Sequence, residues 1–139
     1  MTRSGNRPLA LAELAAALRS LGVADATPSE REEGGAWVAE WDGDIRGHDV
    51  WILIMGARNH PGGVRVMLDD FTFDEVHTEH VGELVRRVFT GDARVTAKRA
   101  FLAQRLVLQV QAGSTAYSAS TEGDSADDLS AWGRLLAAP

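Results

Sequence analysis

The apolar run between Asp49 and Gly56 constrains the fold of this chain more than any other segment. Every residue from 50 to 55 is hydrophobic, a short run typical of a buried β-strand. A strand in a sheet with one solvated face would alternate with polar residues, so both faces of this strand are expected to be covered. The cover can come from a second layer of the same chain or from another subunit. One face carries Val50, Ile52 and Ile54, and the other carries Trp51, Leu53 and Met55.

Three other segments have the periodicity of amphipathic helices. The first covers residues 9–21, and the third covers residues 125–136. The second is predicted to start between Thr72 and Thr78, because Thr72 and Glu75 have the spacing of a capping box. The three apolar stripes are Leu11, Leu14, Leu18 and Leu21; Val81, Leu84, Val85, Val88 and Phe89; and Leu129, Trp132, Leu135 and Leu136.

The order of elements predicts one α+β domain over residues 1–139, with the order α-β-β-β-α-β-β-α. Short turns between the first three strands favour an antiparallel meander, so we expect a mostly antiparallel five-stranded sheet with three helices. If all three helices lie on one side, the other sheet face must find cover elsewhere, and a partner is the simplest source. The predicted strands are 36–41, 49–55, 64–70, 93–102 and 105–118, and the predicted surface loops are 24–35 and 121–124.

Composition narrows the classes of function. The chain has 139 residues and no cysteine, which excludes disulfides, thiolate zinc sites and cysteine nucleophiles. Its formal net charge of −6 opposes general nucleic-acid binding. The local cations Arg94, Lys98, Arg99 and Arg105 are interpreted as a solvated face. With no long apolar run and no targeting signal, we expect no membrane partner and a cytoplasmic location.

His77 and His80 form the most suggestive chemical cluster, with Asp70 and Asp74 just upstream. Two histidines three positions apart on a helix can converge on a metal ion, with a carboxylate completing the ligand shell. The sequence fixes no third ligand, and the two side chains would diverge if the helix began at Thr78. An acidic, solvated helix N-terminus is the favoured interpretation. We predict no cofactor and no catalytic residue.

Three tryptophans lie close together on neighbouring predicted strands, at Trp37, Trp41 and Trp51. The favoured interpretation of such a cluster is a hydrophobic core. The functional interpretation is a groove or a subunit interface, where tryptophan is common among the residues that dominate binding energy. On that interpretation the predicted partner contacts are Trp37, Trp41, Trp51, Leu53 and Met55.

The order of these elements resembles the type III secretion chaperone-like fold, which class I secretion chaperones and YbjN-type proteins share. The resemblance covers nearly the whole chain and concerns order, size and acidity, because no diagnostic motif is present. Members of that fold are small, acidic, non-enzymatic and commonly dimeric, and they bind extended partner segments along apolar patches. The long loop at 24–35 departs from the pattern. The resemblance assigns a function to no individual residue.

Three functional hypotheses follow. The first is a non-enzymatic module, expected to be a homodimer, that binds a protein or peptide partner. The second is a small enzyme or metal-binding protein that uses His77 and His80 with Asp70 or Asp74. The third is an immunity protein that blocks a toxin through its acidic surface.

Overall fold

The structure is a computed structural model that describes residues 7–57, 62–100, 103–121 and 125–137. Within these ranges the chain forms a single eight-stranded sheet and three α-helices. No helix in the described ranges is long and apolar enough to cross a membrane. The strands are β1 (Ser29–Glu33), β2 (Ala36–Ile45), β3 (His48–Ala57), β4 (Gly63–Leu68), β5 (Phe71–His77), β6 (Arg94–Ala100), β7 (Ala103–Ala112) and β8 (Thr115–Ser120).

The strand order across the sheet is β1-β2-β3-β4-β5-β8-β7-β6, and every neighbouring pair is antiparallel. The first five strands form a meander, as predicted for three of them. The last three form a second meander that joins the first through β5 and β8. As a result β1 and β6 are the two edge strands of the sheet.

The prediction of a five-stranded sheet is wrong, because the sequence pattern misses three strands. β1 lies inside the predicted loop 24–35, and its residues are all exposed, so it has no apolar pattern to reveal it. β5 occupies the predicted start of the second helix, where the capping-box spacing is coincidental. The predicted strand 105–118 is two strands, β7 and β8, which turn at Gly113 with a φ of 60°.

The three helices are α1 (Arg7–Ser20), α2 (Val81–Phe89) and α3 (Ala131–Ala137). α1 agrees with the predicted helix at 9–21 within two residues at its start. α2 begins only after a 3₁₀ turn over Thr78–His80. α3 is shorter than predicted, because Ser125 caps a separate 3₁₀ turn, where its Oγ accepts a hydrogen bond from the Asp127 N–H at 3.2 Å.

All three helices pack on one face of the sheet, which we call the covered face. α1 packs against α2, α2 contacts β7, and α3 contacts both β3 and β6, so the sheet curves around the helices. The strand residues that share one core with the helices all occupy alternate positions on this face. These core positions include Ile52, Ile54, Val66, Phe73, Leu108 and Val110. We call the opposite side of the sheet the open face, since no helix of the described chain lies on it.

Two tryptophans of the covered face pack directly on glycine backbone. A Cβ on Gly56 would lie 2.5 Å from the ring of Trp37, its partner in the β2–β3 register. A Cβ on Gly43 would lie 2.6 Å from the ring of Trp41. Gly56 therefore belongs to the packed core rather than marking the end of the strand, and β3 continues to Ala57.

A carboxylate of α1 caps the start of α2. Glu13 Oε1 accepts a hydrogen bond from the Gly82 N–H at 2.9 Å. The two helices approach so closely here that a Cβ on Gly82 would lie 2.9 Å from the carbonyl oxygen of Glu13. This contact satisfies one backbone donor at a helix end, where none is available within the helix itself.

Candidate binding face

The open face is organised around one row of residues that crosses all eight strands. Each member of this row is the register partner of the next, so their side chains stand on the same side of the sheet. An apolar and acidic half lies over β1, β2 and β3, and a polar and basic half lies over β8, β7 and β6. Between them, Arg65 of β4 and Asp74 of β5 lie 3.8 Å apart. From one edge to the other the row is Ser29, Glu40, Leu53, Met67, Thr72, Ser120, Val107 and Thr96.

An apolar patch lies on the first half of this face, and we define it as Val38, Trp51, Leu53, Met55 and Met67. Val38 is fully buried and Leu53 is 7% exposed, yet neither belongs to the core beneath the helices. The other three members are half-buried. The patch is thus a second, smaller apolar cluster on the side of the sheet that carries no helix.

A chain of polar contacts explains how Val38 and Leu53 are buried without a covering helix. The Trp51 indole Nε1–H donates to Glu40 Oε2 at 2.6 Å, and Arg31 Nη1 donates to Glu40 Oε1 at 3.0 Å. The sheet register places Arg31 opposite Val38 and Glu40 opposite Leu53. These longer side chains therefore lie beside the two aliphatic ones and shield them from water.

Glu40 is the centre of this chain of contacts, and its electrostatics follow from its partners. The hydrogen bond from the Trp51 indole, followed by that from Arg31, lowers the pKa of the Glu40 carboxyl below its ordinary value. Glu40 is therefore ionised at neutral pH. Its charge is already engaged by groups of the same chain, and Arg31 also bonds Glu33.

The two halves of the open face carry opposite charge. The half over β1, β2 and β3 has five carboxylates and one cation, Arg31. The half over β6, β7 and β8 has cations only, and residues 93–121 contain none of the 20 acidic residues of the chain. The carboxylates are Glu33, Glu40, Asp42, Asp44 and Asp49, and the opposing cations are Arg94, Lys98 and Arg105.

Strands β3 and β8 of the two halves also differ in side-chain size. β3 presents large side chains to the open face, at Trp51, Leu53 and Met55. β8 presents only small ones, at Ala116, Ser118 and Ser120, and all three are exposed. β3 is thus raised above the sheet and β8 is low, whereas β7 and β6 beyond β8 present longer side chains such as Gln109, Arg105 and Lys98.

The structure separates the predicted partner contacts into two groups. Trp51, Leu53 and Met55 lie on the open face, whereas Trp37 and Trp41 lie on the covered face and are 3% and 9% exposed. Sequence reasoning missed Val38, Met67, Glu40 and Arg31 as parts of the same face. Met67 lies on the more polar side of the alternating strand 64–70, and only its strand pairing places it beside Leu53.

Tyr117 bonds one ring nitrogen of the predicted histidine cluster. Tyr117 Oη accepts from the His77 backbone N–H at 3.1 Å, so its own proton is available to His80 Nδ1 at 2.8 Å. The other ring nitrogen, Nε2, lies 2.6 Å from the position of a Cβ on Gly113. The rings of His77 and His80 are in contact, with their centroids 5.4 Å apart, so the structure does bring the two histidines together.

The carboxylates near these histidines are used elsewhere. Asp70 Oδ2 accepts a hydrogen bond from the Ser130 N–H at 2.9 Å, and Asp74 lies 3.8 Å from Arg65. Among residues 7–57, 62–100, 103–121 and 125–137, no three histidines or carboxylates are grouped so that they could hold a metal ion. The predicted set of His77, His80 and an aspartate is not brought together.

Comparison with known proteins adds no further assignment: no family model, no curated protein and no solved structure matches this chain. The resemblance to the type III secretion chaperone-like fold therefore stays a prediction. The geometry of the open face is therefore the basis for inferring a function.

Proposed function

We propose that this protein is a non-enzymatic binding module that acts through its open face and pairs there with a second copy of itself. The observation that carries the proposal is the placement of all three helices on the covered face. That placement leaves the apolar patch, with half-buried Trp51, Met55 and Met67, on the side without a helix. Tryptophan and methionine are enriched at the centres of protein interfaces.

The charge of the open face favours a second copy as the partner. A surface that covers the patch has to bring cations toward Asp42 and Asp49, and the same face of another copy carries Lys98 and Arg105. Consider a two-fold axis that runs parallel to the strands between β4 and β5. It exchanges the two edges of the sheet, so β3 of one copy faces β8 of the other and β2 faces β7.

This arrangement aligns large side chains with small ones close to the axis, where the curved open faces of two copies approach most closely, and it also sets Arg31 of one copy opposite Arg94 of the other. Large Leu53 and Met55 of one copy face small Ser120 and Ser118 of the other, because the central row maps onto itself. Asp42 and Arg105 lie on the same side of that row, so they also meet across the interface. Face-to-face sheets keep their strands within about 30° of each other, so the pairings closest to the axis are the best preserved.

Two reciprocal variants test the proposal. In one, Asp42→Lys and Asp49→Lys make the acidic half basic; in the other, Lys98→Glu and Arg105→Glu make the basic half acidic. Each variant alone sets like charges against each other at both ends of the dimer. Its self-association should weaken by roughly a hundredfold or more, because like-charge pairs across an interface cost several kcal/mol. An equimolar mixture should form a heterodimer, since both ends then carry opposite charges.

Sedimentation equilibrium measures all three samples and the unaltered protein. The matched control is Arg19→Glu with Arg86→Glu, which changes the net charge by the same amount as Lys98→Glu with Arg105→Glu, at exposed helix positions, and should dimerise normally. A wild-type protein that stays monomeric at high micromolar concentration contradicts the proposal. So does a mixture that remains as weakly associated as its components.

A further inference from the structure

The outer edge of strand β6 is a surface that the proposed dimer does not use. β7 pairs with one side of it, and within the described ranges no strand pairs with its other side. Arg94, Ala97, Lys98 and Arg99 are exposed along it. An edge strand presents a row of backbone N–H and C=O groups that can pair with another extended chain. α3 packs against β6, and no strand of the described ranges occupies its outer edge, where an extended segment could add.

Cations flank this edge on both faces of the sheet. Arg94 and Lys98 lie on the open face, and Arg99 lies on the covered face, by the alternation of the strand. Arg105 is the register partner of Lys98 on β7 and adds a further charge to the open side. The absence of acidic residues between 93 and 121 means that the described strands β6 to β8 bring no carboxylate of their own to balance them.

The opposite edge of the sheet has the opposite chemistry. β1 carries Glu30, Glu32 and Glu33, and Arg7 of α1 lies 3.8 Å from each of the first two. An acidic strand is repelled at β1 and attracted at β6, and a basic strand behaves in the reverse way. Charged edges prevent indiscriminate pairing of sheets, and here the sign of the charge also selects which strand can pair.

We propose that β6 binds an acidic, extended segment of a partner protein, which adds to the sheet as a ninth strand. Backbone hydrogen bonds to β6 supply the affinity, as in other cases of strand addition. Arg94, Lys98 and Arg99 select the segment, because its side chains alternate between the two faces and a carboxylate on either face meets a cation. This site lies at the edge of the sheet, so it goes beyond the proposed dimer on the open face.

Synthetic peptides test the site directly. The probe is an extended peptide of alternating threonine and glutamate, and its counterpart replaces each glutamate with lysine. A third peptide is the glutamate probe with every backbone nitrogen methylated, which keeps the charge and removes the donors. Calorimetry measures affinity, and amide hydrogen exchange measures protection of residues 94–100. The glutamate probe should bind and protect β6, and the other two should bind at least roughly tenfold more weakly.

Matched variants identify the residues. Arg94→Glu with Arg99→Glu, which leaves Lys98 and Arg105 of the proposed dimer unchanged, should weaken the glutamate probe by roughly tenfold or more and strengthen the lysine peptide, since selecting charges are reversed. Arg19→Glu with Arg86→Glu makes the same change in net charge at remote helix positions and should leave both affinities within roughly twofold. The gain of lysine-peptide binding shows that the variant is folded.

Three results would overturn the inference. Equal binding of the methylated and unmethylated glutamate peptides would mean that charge alone attracts them. Equal loss in the two double variants would mean that the whole surface, rather than β6, is responsible. Protection of β6 that rises with protein concentration and excludes the probe would assign the edge to β1 of a second copy. None of these measurements depends on whether the open face dimerises.

Discussion

Asp69 and Trp132 join the last helix to the turn between β4 and β5. The Trp132 indole Nε1–H donates to Asp69 Oδ2 at 2.7 Å, and the same oxygen accepts from the Trp51 backbone N–H at 3.3 Å. Asp69 adopts a φ of 50°, and its own N–H donates to the Trp51 carbonyl at 3.0 Å. One turn residue thus connects α3, β3 and the β4–β5 turn. Burial raises the pKa of Asp69, although both hydrogen bonds oppose that rise.

Replacing Asp69 by asparagine should show how the Asp69 charge, which burial disfavours and hydrogen bonds favour, affects the stability of the fold. Asparagine tolerates a positive φ and keeps an oxygen for both donors, but it carries no charge. The folded wild-type protein binds the Asp69 proton more tightly than the unfolded chain does. Its stability therefore falls as pH rises from the ordinary aspartate pKa through the raised one. Asp69→Asn should remove that decline and be at least as stable as wild type at neutral pH, as measured by urea unfolding across pH.

Asp69→Ala supplies the contrast to the asparagine variant. It leaves the indole N–H of the buried Trp132 without its acceptor, which should cost about 1–3 kcal/mol. Equal losses in Asp69→Asn and Asp69→Ala at neutral pH would show that the charge, and not the hydrogen bond, is what matters at this turn.

Glu83 should stabilise the protein in the opposite pH direction. Its pKa is lowered, first by the hydrogen bond from the Gly113 N–H at 3.0 Å and then by Arg87. A lowered carboxyl pKa contributes stability above the ordinary glutamate pKa, and that contribution is lost as pH falls through the lowered value. Glu83→Gln should be less stable than wild type at neutral pH, and the difference should shrink in acid.

The control for Glu83 is Glu79→Gln, at an exposed position in the 3₁₀ turn before α2. Denaturant titrations of both variants at neutral and acidic pH make the comparison. A Glu83→Gln protein whose deficit stays constant into acid would argue against the assigned role of the ionised carboxylate.

Gly56→Ala should destabilise the protein, because its Cβ has to displace the Trp37 ring. The added methyl would lie 2.5 Å from that ring, and overpacking of this kind costs about 1–3 kcal/mol. Gly62→Ala is the control, since a Cβ there meets nothing within 4 Å and the change should stay within about 0.5 kcal/mol. Adding Trp37→Phe to Gly56→Ala should restore part of the loss, because a smaller ring leaves room for the methyl. No restoration would place the strain elsewhere.

Tyr117→Phe should destabilise the fold without any change in metal binding. The variant removes a hydroxyl that bonds both His80 and the His77 N–H, at a cost of about 1 kcal/mol. Zinc added to the wild-type protein should leave its thermal midpoint unchanged, because the described residues group no third ligand with the two histidines. A midpoint that rises with zinc in wild type, but not in His77→Ala with His80→Ala, would restore the metal hypothesis.

The sequence predicts an element well where the apolar pattern is strong and local. The stripe from Leu11 to Leu21 identifies α1, and the run from 50 to 55 identifies β3. β1 has no apolar position, because it lies at an edge and none of its side chains is buried. It forms by pairing with β2, a contact between backbones that leaves no trace in side-chain periodicity.

At the predicted start of the second helix, strand pairing overrides a local helix-capping pattern. Thr72 and Glu75 have capping-box spacing, yet Phe71 and Phe73 are buried when this segment extends as β5 beside β4. Burying two aromatic side chains contributes more than a helix cap does, since each side chain is worth about 1.5–3 kcal/mol against roughly 1 for the cap. The strand state of residues 71–77 can be predicted only when its pairing with β4 is known.

The sequence predicts some residues of the candidate site, and only the tertiary structure places the others. Trp51, Leu53 and Met55 are consecutive alternating positions, so their shared face follows from the sequence. Val38, Met67, Glu40 and Arg31 join them only through strand register, which depends on pairing across the sheet.

By itself the sequence determined that β3 is apolar on both faces and that residues 93–121 carry cations without acids. Composition and alternation are properties of the chain alone, so they hold in any fold. Only the tertiary structure decided that the helices gather on one side and that the acidic and basic segments lie at opposite ends of one face. Those outcomes depend on which strands pair and which surface the helices bury, and both are set by contacts between residues far apart in the sequence.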